Sequence, residues 1–214
     1  MHLFIVRHGQ STGNITTEDV PDAELTPLGE QQARQAAARL ATEGITHVLC
    51  SPLVRALATA TTIAEACHLS EIEVWPELQE TRRSVHRGFG RDALLTRFPL
   101  ARFPHTFEAE GWDHGGETYE SGLERGADAV AALRERFTAR DRLGVVNHGA
   151  FANYLLRALL HIPPAHHLWF TMNNCGITHV RFHDPELNQG DWSFPIAVQV
   201  NYVNDVSHLS KVSE

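Results

Sequence analysis

Apolar residues in this chain gather in short unbroken runs, separated by longer stretches in which alanine and leucine recur at helical spacing. Leu3-Phe4-Ile5-Val6 is the first run, and residues 2–7 read as a buried strand. Residues 9–24 are rich in Gly, Ser, Thr, Asn and Asp and read as a loop. A helix then opens at Thr26-Pro27-Leu28-Gly29-Glu30: Thr26 can cap, Pro27 fits the first helical position and Glu30 lies in the first turn. It is expected to run to about residue 43, where Gly44 stops it. His47-Val48-Leu49-Cys50 is a second strand, and Ser51-Pro52 repeats the cap-plus-proline signal for a helix over roughly 53–67. Residues 72–75 make a third strand. Regularity is lost over 81–116, and a long Ala-rich helix follows from 117 to about 140. A fourth strand covers 143–147, and a further helix covers about 149–160, ahead of Pro163-Pro164. Segments 176–183 and 194–203 have strand character with no helix between them, which predicts an antiparallel edge.

Strands alternating with helices predict one domain over 1–214, a three-layer α/β/α sandwich with a mostly parallel central sheet and one antiparallel edge. The segment at about 81–116 reads as a small cap insertion, because a long irregular stretch inside a compact domain is more often functional than filler. It carries Arg82, Arg83, Arg87, Arg91, Arg97 and Arg102 among Phe, Leu and Pro. In an open parallel sheet, ligands bind beyond the carboxyl ends of the strands. The residues leaving those ends are Arg7-His8-Gly9, Ser51 with Arg55, Glu80, and His148-Gly149. Two histidines far apart in sequence are thereby delivered to one rim.

Composition narrows the ligand. The net charge is −8 with His neutral, which argues against nucleic acid or an anionic membrane surface as the main partner. An acidic protein that handles an anion must concentrate its arginines in one pocket. Three cysteines without metal spacing suggest a reduced, intracellular setting. With no basic-then-apolar leader and no long apolar run, the chain is expected to be soluble and cytoplasmic. The late strands offer an edge through which a homodimer could form, and the polar tail 207–214 is expected to be mobile. Of the 14 histidines, His47, His68, His161, His166, His167, His179 and His208 read as surface residues. His166-His167 alone does not make a metal ligand set.

The rim residues suit phosphate. A phosphoryl group is negatively charged throughout transfer, so catalysis is mostly positioning and electrostatics. Arg7 and Arg55 offer bidentate forks, Asn14 can add an amide donor, and the backbone N–H groups from Gly149 onward open a helix that can bind the same anion. One neutral histidine can attack phosphorus while a second, protonated, binds the oxygens. Glu80 can protonate the leaving oxygen and then take a proton from water, with Glu77 as a rival. Positive charge from the side chains makes a metal or other cofactor unnecessary. Arg82, Arg83 and Arg87 lie close enough in sequence to meet a second anionic group on a small phosphorylated metabolite.

Arg7-His8-Gly9-Gln10-Ser11-Thr12-Gly13-Asn14 resembles the signature of the histidine phosphatase superfamily, which includes cofactor-dependent phosphoglycerate mutases. Leu25-Thr26-Pro27-Leu28-Gly29, Ser51-Pro52-Leu53-Val54-Arg55-Ala56, Leu78-Gln79-Glu80, Gly115-Gly116-Glu117-Thr118 and His148-Gly149 resemble its later blocks, in order. The resemblance implies His8 as the phosphohistidine nucleophile, with Arg7, Arg55 and His148 completing the phosphate pocket, Asn14 lining it and Glu80 as proton donor. Asn147 stands where many relatives carry serine. Thr81-Arg82-Arg83-Ser84-Val85-His86 lacks the aromatic-glycine pattern expected of the mutases. The resemblance therefore implies a metal-independent phosphatase ahead of a mutase, and either ahead of a phospho-ligand binding module without turnover.

Overall fold

The structure is a computed structural model that describes residues 1–18, 20, 22–183 and 197–210. Among them, nine strands run in chain order: β1 (His2–Arg7), β2 (His47–Cys50), β3 (Ile72–Val74), β4 (Val85–Phe89), β5 (Ala101–Arg102), β6 (Gly111–Gly115), β7 (Arg142–Asn147), β8 (Ile177–Phe182) and β9 (Val198–Asp205). The helices are α1 (Thr12–Ile15), α2 (Pro27–Ala41), α3 (Val54–Ala66), α4 (Arg91–Arg97), α5 (Tyr119–Arg136) and α6 (Gly149–Leu159). Seven strands form one sheet in the order β5-β3-β2-β7-β1-β8-β9. The first five are mutually parallel, and β8 and β9 close the other edge with antiparallel pairings. This is the mixed α/β fold, with a mostly parallel sheet, that the element order predicts. None of the described helices is long and apolar enough to cross a membrane.

The unbroken apolar runs arise because the sheet is buried on both faces. Phe4, Val6, Val48, Cys50 and Val146 pack with α2 and α3 on one side. Leu3, Ile5, Leu49, Leu143 and Val145 pack with α5 and α6 on the other. Alternate residues thus point into two different cores, and every position must be apolar.

Helix starts follow local chemistry, with one exception. Thr26 accepts the Gly29 amide at 3.1 Å, as expected of a cap, and Thr118 accepts that of Ser121 at 3.2 Å, so α5 begins at Tyr119 rather than 117 and ends at Arg136. Ser51 does not cap α3, which starts at Val54; the Val54 amide donates to Asp22 Oδ1 at 2.8 Å instead. Helix α2 ends at Ala41, two residues early, and Gly44 then turns the chain at φ +65°.

The segment 81–116 is regular, against expectation. Strands β4 and β6 pair as a separate two-stranded antiparallel sheet, α4 lies between them, and β5 joins the edge of the main sheet. Short strands of two to five residues, with glycines and arginines in them, gave no apolar alternation to read. Within the predicted loop, α1 forms a single turn whose capping box joins Ser11 and Asn14. His179 is buried, 3.0 Å from His2 and stacked on Phe4, so it is no surface residue. The start of the predicted strand 194–203 lies outside the described residues up to 196. Residues 207–210 are anchored, not loose: His208 Nε2 donates to the Cys175 carbonyl at 3.0 Å and Leu209 packs on Ala33 and Ala36. Residues 211–214 lie outside the described part.

Candidate active site

Strands β2, β7 and β1 are neighbours, with Arg7 opposite Asn147 and Cys50 opposite Val146. The residues that leave their carboxyl ends, Ser51, His148 and His8, therefore emerge side by side. The His8 and His148 rings lie 5.0 Å apart between centroids, and both are buried. The loop after β1 is held by backbone contact that only glycine permits. A Cβ on Gly29 would lie 1.9 Å from the Gln10 carbonyl oxygen, and one on Gly9 would lie 2.4 Å from that of Gly29. Helix α2 thus presses its first turn directly onto the His8 loop.

The tautomer of His8 follows from its partners. Nδ1 lies 2.7 Å from the Gly9 carbonyl, which can only accept, so Nδ1 carries the proton. Nε2 then holds the lone pair and accepts from Arg55 Nε at 3.1 Å. Burial, reinforced by Arg55 and Arg7, lowers the His8 pKa well below 6.5, so the ring is neutral. His148 is lowered likewise, by burial first and then by Arg55 and His8. Its Nε2 meets Ser51 Oγ at 2.8 Å, while its Nδ1 is buried with no hydrogen-bond partner among the described residues. Arg7 donates to the Met172 carbonyl at 2.6 Å, and its Nε is likewise a buried donor without a partner. Gly149 lies against that guanidinium, since a Cβ there would sit 3.5 Å from Arg7 Nε. Burial also lowers Arg55, to about 10, which leaves it cationic at neutral pH.

Glu80 is fixed by the helix after His148. Its carboxylate accepts from the amides of Thr81 at 2.9 Å, Phe151 at 3.0 Å and Ala150 at 3.3 Å. The second and third amides of α6 therefore serve Glu80, and Gly149 is the residue of that turn beside Arg7. A network holds the segment in place. Glu117 accepts from Thr81 Oγ1 at 2.7 Å and from Arg125 at 2.6 Å, and Arg125 reaches the Gln79 carbonyl at 3.0 Å. Glu77 is exposed, and the structure gives it no place beside the histidines.

Asn14 is exposed, and its side-chain oxygen is taken by Ser11 and by Asn174, so its amide nitrogen is the donor it has to offer. The arginines of segment 81–116 divide. Arg82 lies within electrostatic range of Arg55. Arg83 is exposed. Arg87 is committed to Asp113 at 3.1 Å and Glu108 at 3.6 Å, which removes it from the site.

Several supporting residues gave no sequence signal. Ser51 read as a helix cap, yet it holds His148. Asn174 Nδ2 ties the His8 carbonyl at 2.9 Å to Asn14 at 3.2 Å. Thr59 accepts the Gly9 amide at 3.1 Å. Each acts through a contact across the sequence that a linear reading cannot contain. Asn147 closes β7 and its carbonyl accepts the His8 amide at 3.0 Å, while its side-chain amide is buried without a partner among the described residues.

Comparison with known proteins agrees with this geometry. The chain is 31% identical to a probable phosphoglycerate mutase GpmB of Yersinia enterocolitica over 98% of its own length and 95% of the relative. It is 29% identical to the protein of the same name from an Enterobacter species, with the same coverage. Among solved structures it resembles phosphoserine phosphatase from Entamoeba histolytica in complex with 3-phosphoglyceric acid, at TM-score 0.66 and 24% identity, covering 98% and 99% of the two chains. A mycobacterial glucosyl-3-phosphoglycerate phosphatase matches at TM-score 0.63 and 24% identity, covering 95% of this chain and 98% of that one. These likenesses show a shared fold. The sequence profile of the histidine phosphatase superfamily (branch 1) matches residues 3–193, and the chain belongs to that superfamily.

Proposed function

We propose that this protein hydrolyses a small phosphomonoester through a phosphohistidine at His8, without a metal. The observation that carries the reading is a set of buried polar groups at two adjacent strand ends. The lone pair of neutral His8 Nε2 lies at the rim where two buried groups, Arg7 Nε and His148 Nδ1, have no partner among the described residues. Buried polar groups are nearly always bonded, and a tetrahedral dianion beside His8 would satisfy both.

In this structure the lone pair of Nε2 accepts from Arg55. A phosphoryl group draws that guanidinium onto its oxygens, and the lone pair is released for in-line attack on phosphorus. As the N–P bond forms and the ester P–O bond breaks, Glu80 gives a proton to the leaving oxygen. His148, which takes up a proton when the dianion outweighs the neighbouring guanidiniums, donates to a phosphoryl oxygen while Ser51 holds its other nitrogen. Water then attacks the phosphohistidine, Glu80 takes its proton, and His8 and inorganic phosphate are regenerated. Three unpaired cysteines support a reduced, cytoplasmic setting.

The names of the relatives favour a second reading, a phosphoglycerate mutase, which would return the phosphoryl group to a bound hydroxy acid in place of water. Chelator-treated protein should release phosphate from a panel of esters, and His8→Ala should abolish release. Isomerisation of 3-phosphoglycerate that depends on a bisphosphoglycerate primer, without net hydrolysis, would replace the first reading by the second. Phosphate binding with neither reaction would leave only a binding module.

A further inference from the structure

The two-stranded sheet of β4 and β6 has distinct faces. Val85, Arg87, Phe89 and Asp113 are exposed, while Trp112 and His114 are buried and His86 and Gly88 are partly buried. His114 stands opposite His86 with ring centroids 5.7 Å apart, and it stacks on Trp112 at 4.9 Å. The Trp112 ring covers Gly88 so closely that a Cβ there would lie 2.6 Å from its Nε1. Only 2% of His114 is exposed, yet neither ring nitrogen has a hydrogen-bond partner among the described residues, and Trp112 Nε1 is in the same condition. The charged and titratable groups around His114 are His86 on β4, Arg82 ahead of it, Arg55 on α3 and Asp113 on β6 itself. Arg55 also donates to His8 Nε2, so the imidazole lies within electrostatic range of a guanidinium that touches the His8 ring.

We propose that His114 is a specificity-determining residue that binds a hydroxyl group on the leaving group of the ester, so that the preferred substrates are phosphorylated polyols or sugars. The inference rests on the phosphatase reading. A neutral imidazole has one N–H donor and one acceptor, and a hydroxyl has the same complement. A carboxylate only accepts, so it can engage the N–H alone, whereas a hydroxyl can engage either ring nitrogen. Burial, together with His86, Arg82 and Arg55, holds His114 at about 4, against the single opposing charge of Asp113, so the ring stays neutral at working pH. Charge balance points the same way. Arg7, Arg55 and Arg82 face Asp22 and a dianionic phosphate, with Glu80 carrying its proton, and Arg87 is already paired. Among the described residues, the inner face of this sheet carries His86 and His114 and no arginine or lysine to meet a second anion. Aromatic stacking beside an amphoteric polar group suits a hydroxyl-bearing carbon skeleton.

The test compares glycerol phosphate, propyl phosphate and 3-phosphoglycerate on the wild type, His114→Phe and His114→Gln. The wild type should favour glycerol phosphate over propyl phosphate by about tenfold or more in kcat/KM, mainly through KM. His114→Phe, which keeps a stacking ring, should lose that preference, and His114→Gln, with a donor and an acceptor, should recover part of it. Equal handling of the two esters by the wild type, or a preference that survives His114→Phe, would overturn the proposal. So would a preference for 3-phosphoglycerate accompanied by proton uptake on binding. Aryl phosphate turnover lost in His8→Ala reports separately on the phosphatase reading. If turnover is absent throughout, calorimetric binding of glycerol phosphate and propyl phosphate to the same variants gives the same comparison. A thermal melt of each variant verifies its fold.

Discussion

Two imidazoles held neutral inside the protein should make its stability fall steeply with acid. His8 and His148 are buried, and desolvation, with Arg55 beside them, lowers both below the ordinary value of 6.5. In the unfolded chain both take up protons as the pH drops through 6.5, while the folded chain refuses them. The unfolded state therefore binds more protons, and stability present above that value is lost below it. With both rings neutral when folded, going from about pH 7.5 to about pH 5 costs about 2 kcal/mol for each ring and about 4 kcal/mol for the pair. His2 and His114, both lowered to about 4 chiefly by burial, act in the same direction. The burial-raised carboxyl of Asp22 opposes it only nearer the carboxylate range. Urea denaturation in a cationic buffer at the two pH values, on the wild type and on His148→Gln, isolates one ring; the variant should lose about 2 kcal/mol less on acidification. Saturating inorganic phosphate should flatten the wild-type dependence further, because a bound dianion stabilises the protonated ring. Equal pH dependence in wild type and variant would refute the buried-neutral account. A dependence that phosphate leaves untouched would refute the placement of these rings against the anion.

Ser51→Ala should lower stability by about 1–3 kcal/mol and reduce kcat, since the His148 ring loses its hydrogen bond to Ser51 Oγ; chemical denaturation and steady-state kinetics measure both. Glu80→Gln should cut kcat by about 10²–10⁴ for alkyl esters and by much less for p-nitrophenyl phosphate, whose leaving group needs no proton. Equal losses on the two substrates would deny Glu80 its role as acid. Arg55→Lys keeps the charge but removes the Nε–H that meets His8, so kcat/KM should fall by about 10²–10³. Gly29→Ala sets a methyl against the Gln10 carbonyl and should cost about 1–3 kcal/mol together with activity, a loss absent if the loop and α2 merely touch.

Much of this was legible because some signals are local. The doubly buried strands announce themselves as unbroken apolar runs, and Thr26-Pro27 sets the start of α2 through its own side chain and ring. Strand-end position alone brought Arg7, His8, Arg55, Glu80 and His148 to one rim, since a parallel sheet offers only one such edge. What escaped is what depends on partners. Ser51 has the sequence of a cap, but His148, 97 residues away, takes its hydroxyl, and Asp22 from another loop caps α3 instead. Arg87 read as a ligand group, yet it is matched by Asp113, which only folding brings near. Segment 81–116 looked irregular because its strands are short and its contacts are made by single residues such as Trp112 over Gly88.

Arg55 engages the ring nitrogen of His8 that the proposed reaction would use. Arg55 donates to His8 Nε2, and that same guanidinium is among the forces that keep His8 and His148 neutral. A bound phosphoryl dianion changes all three at once: it draws the Arg55 N–H groups to its oxygens, exposes the lone pair, and supplies the negative charge that lets His148 accept a proton. A neutral polar molecule with the same outline does none of these. The acidity of the chain as a whole sharpens the effect. With a net charge of −8, the protein as a whole disfavours anions, while Arg7, Arg55 and Arg82 lie within electrostatic range of one another at this rim. On the proposed reading, selection for phosphate is made by charge at the rim. Selection among phosphate esters is left to whatever the β4–β6 sheet presents to the leaving group, and on its inner face that is the uncommitted imidazole of His114.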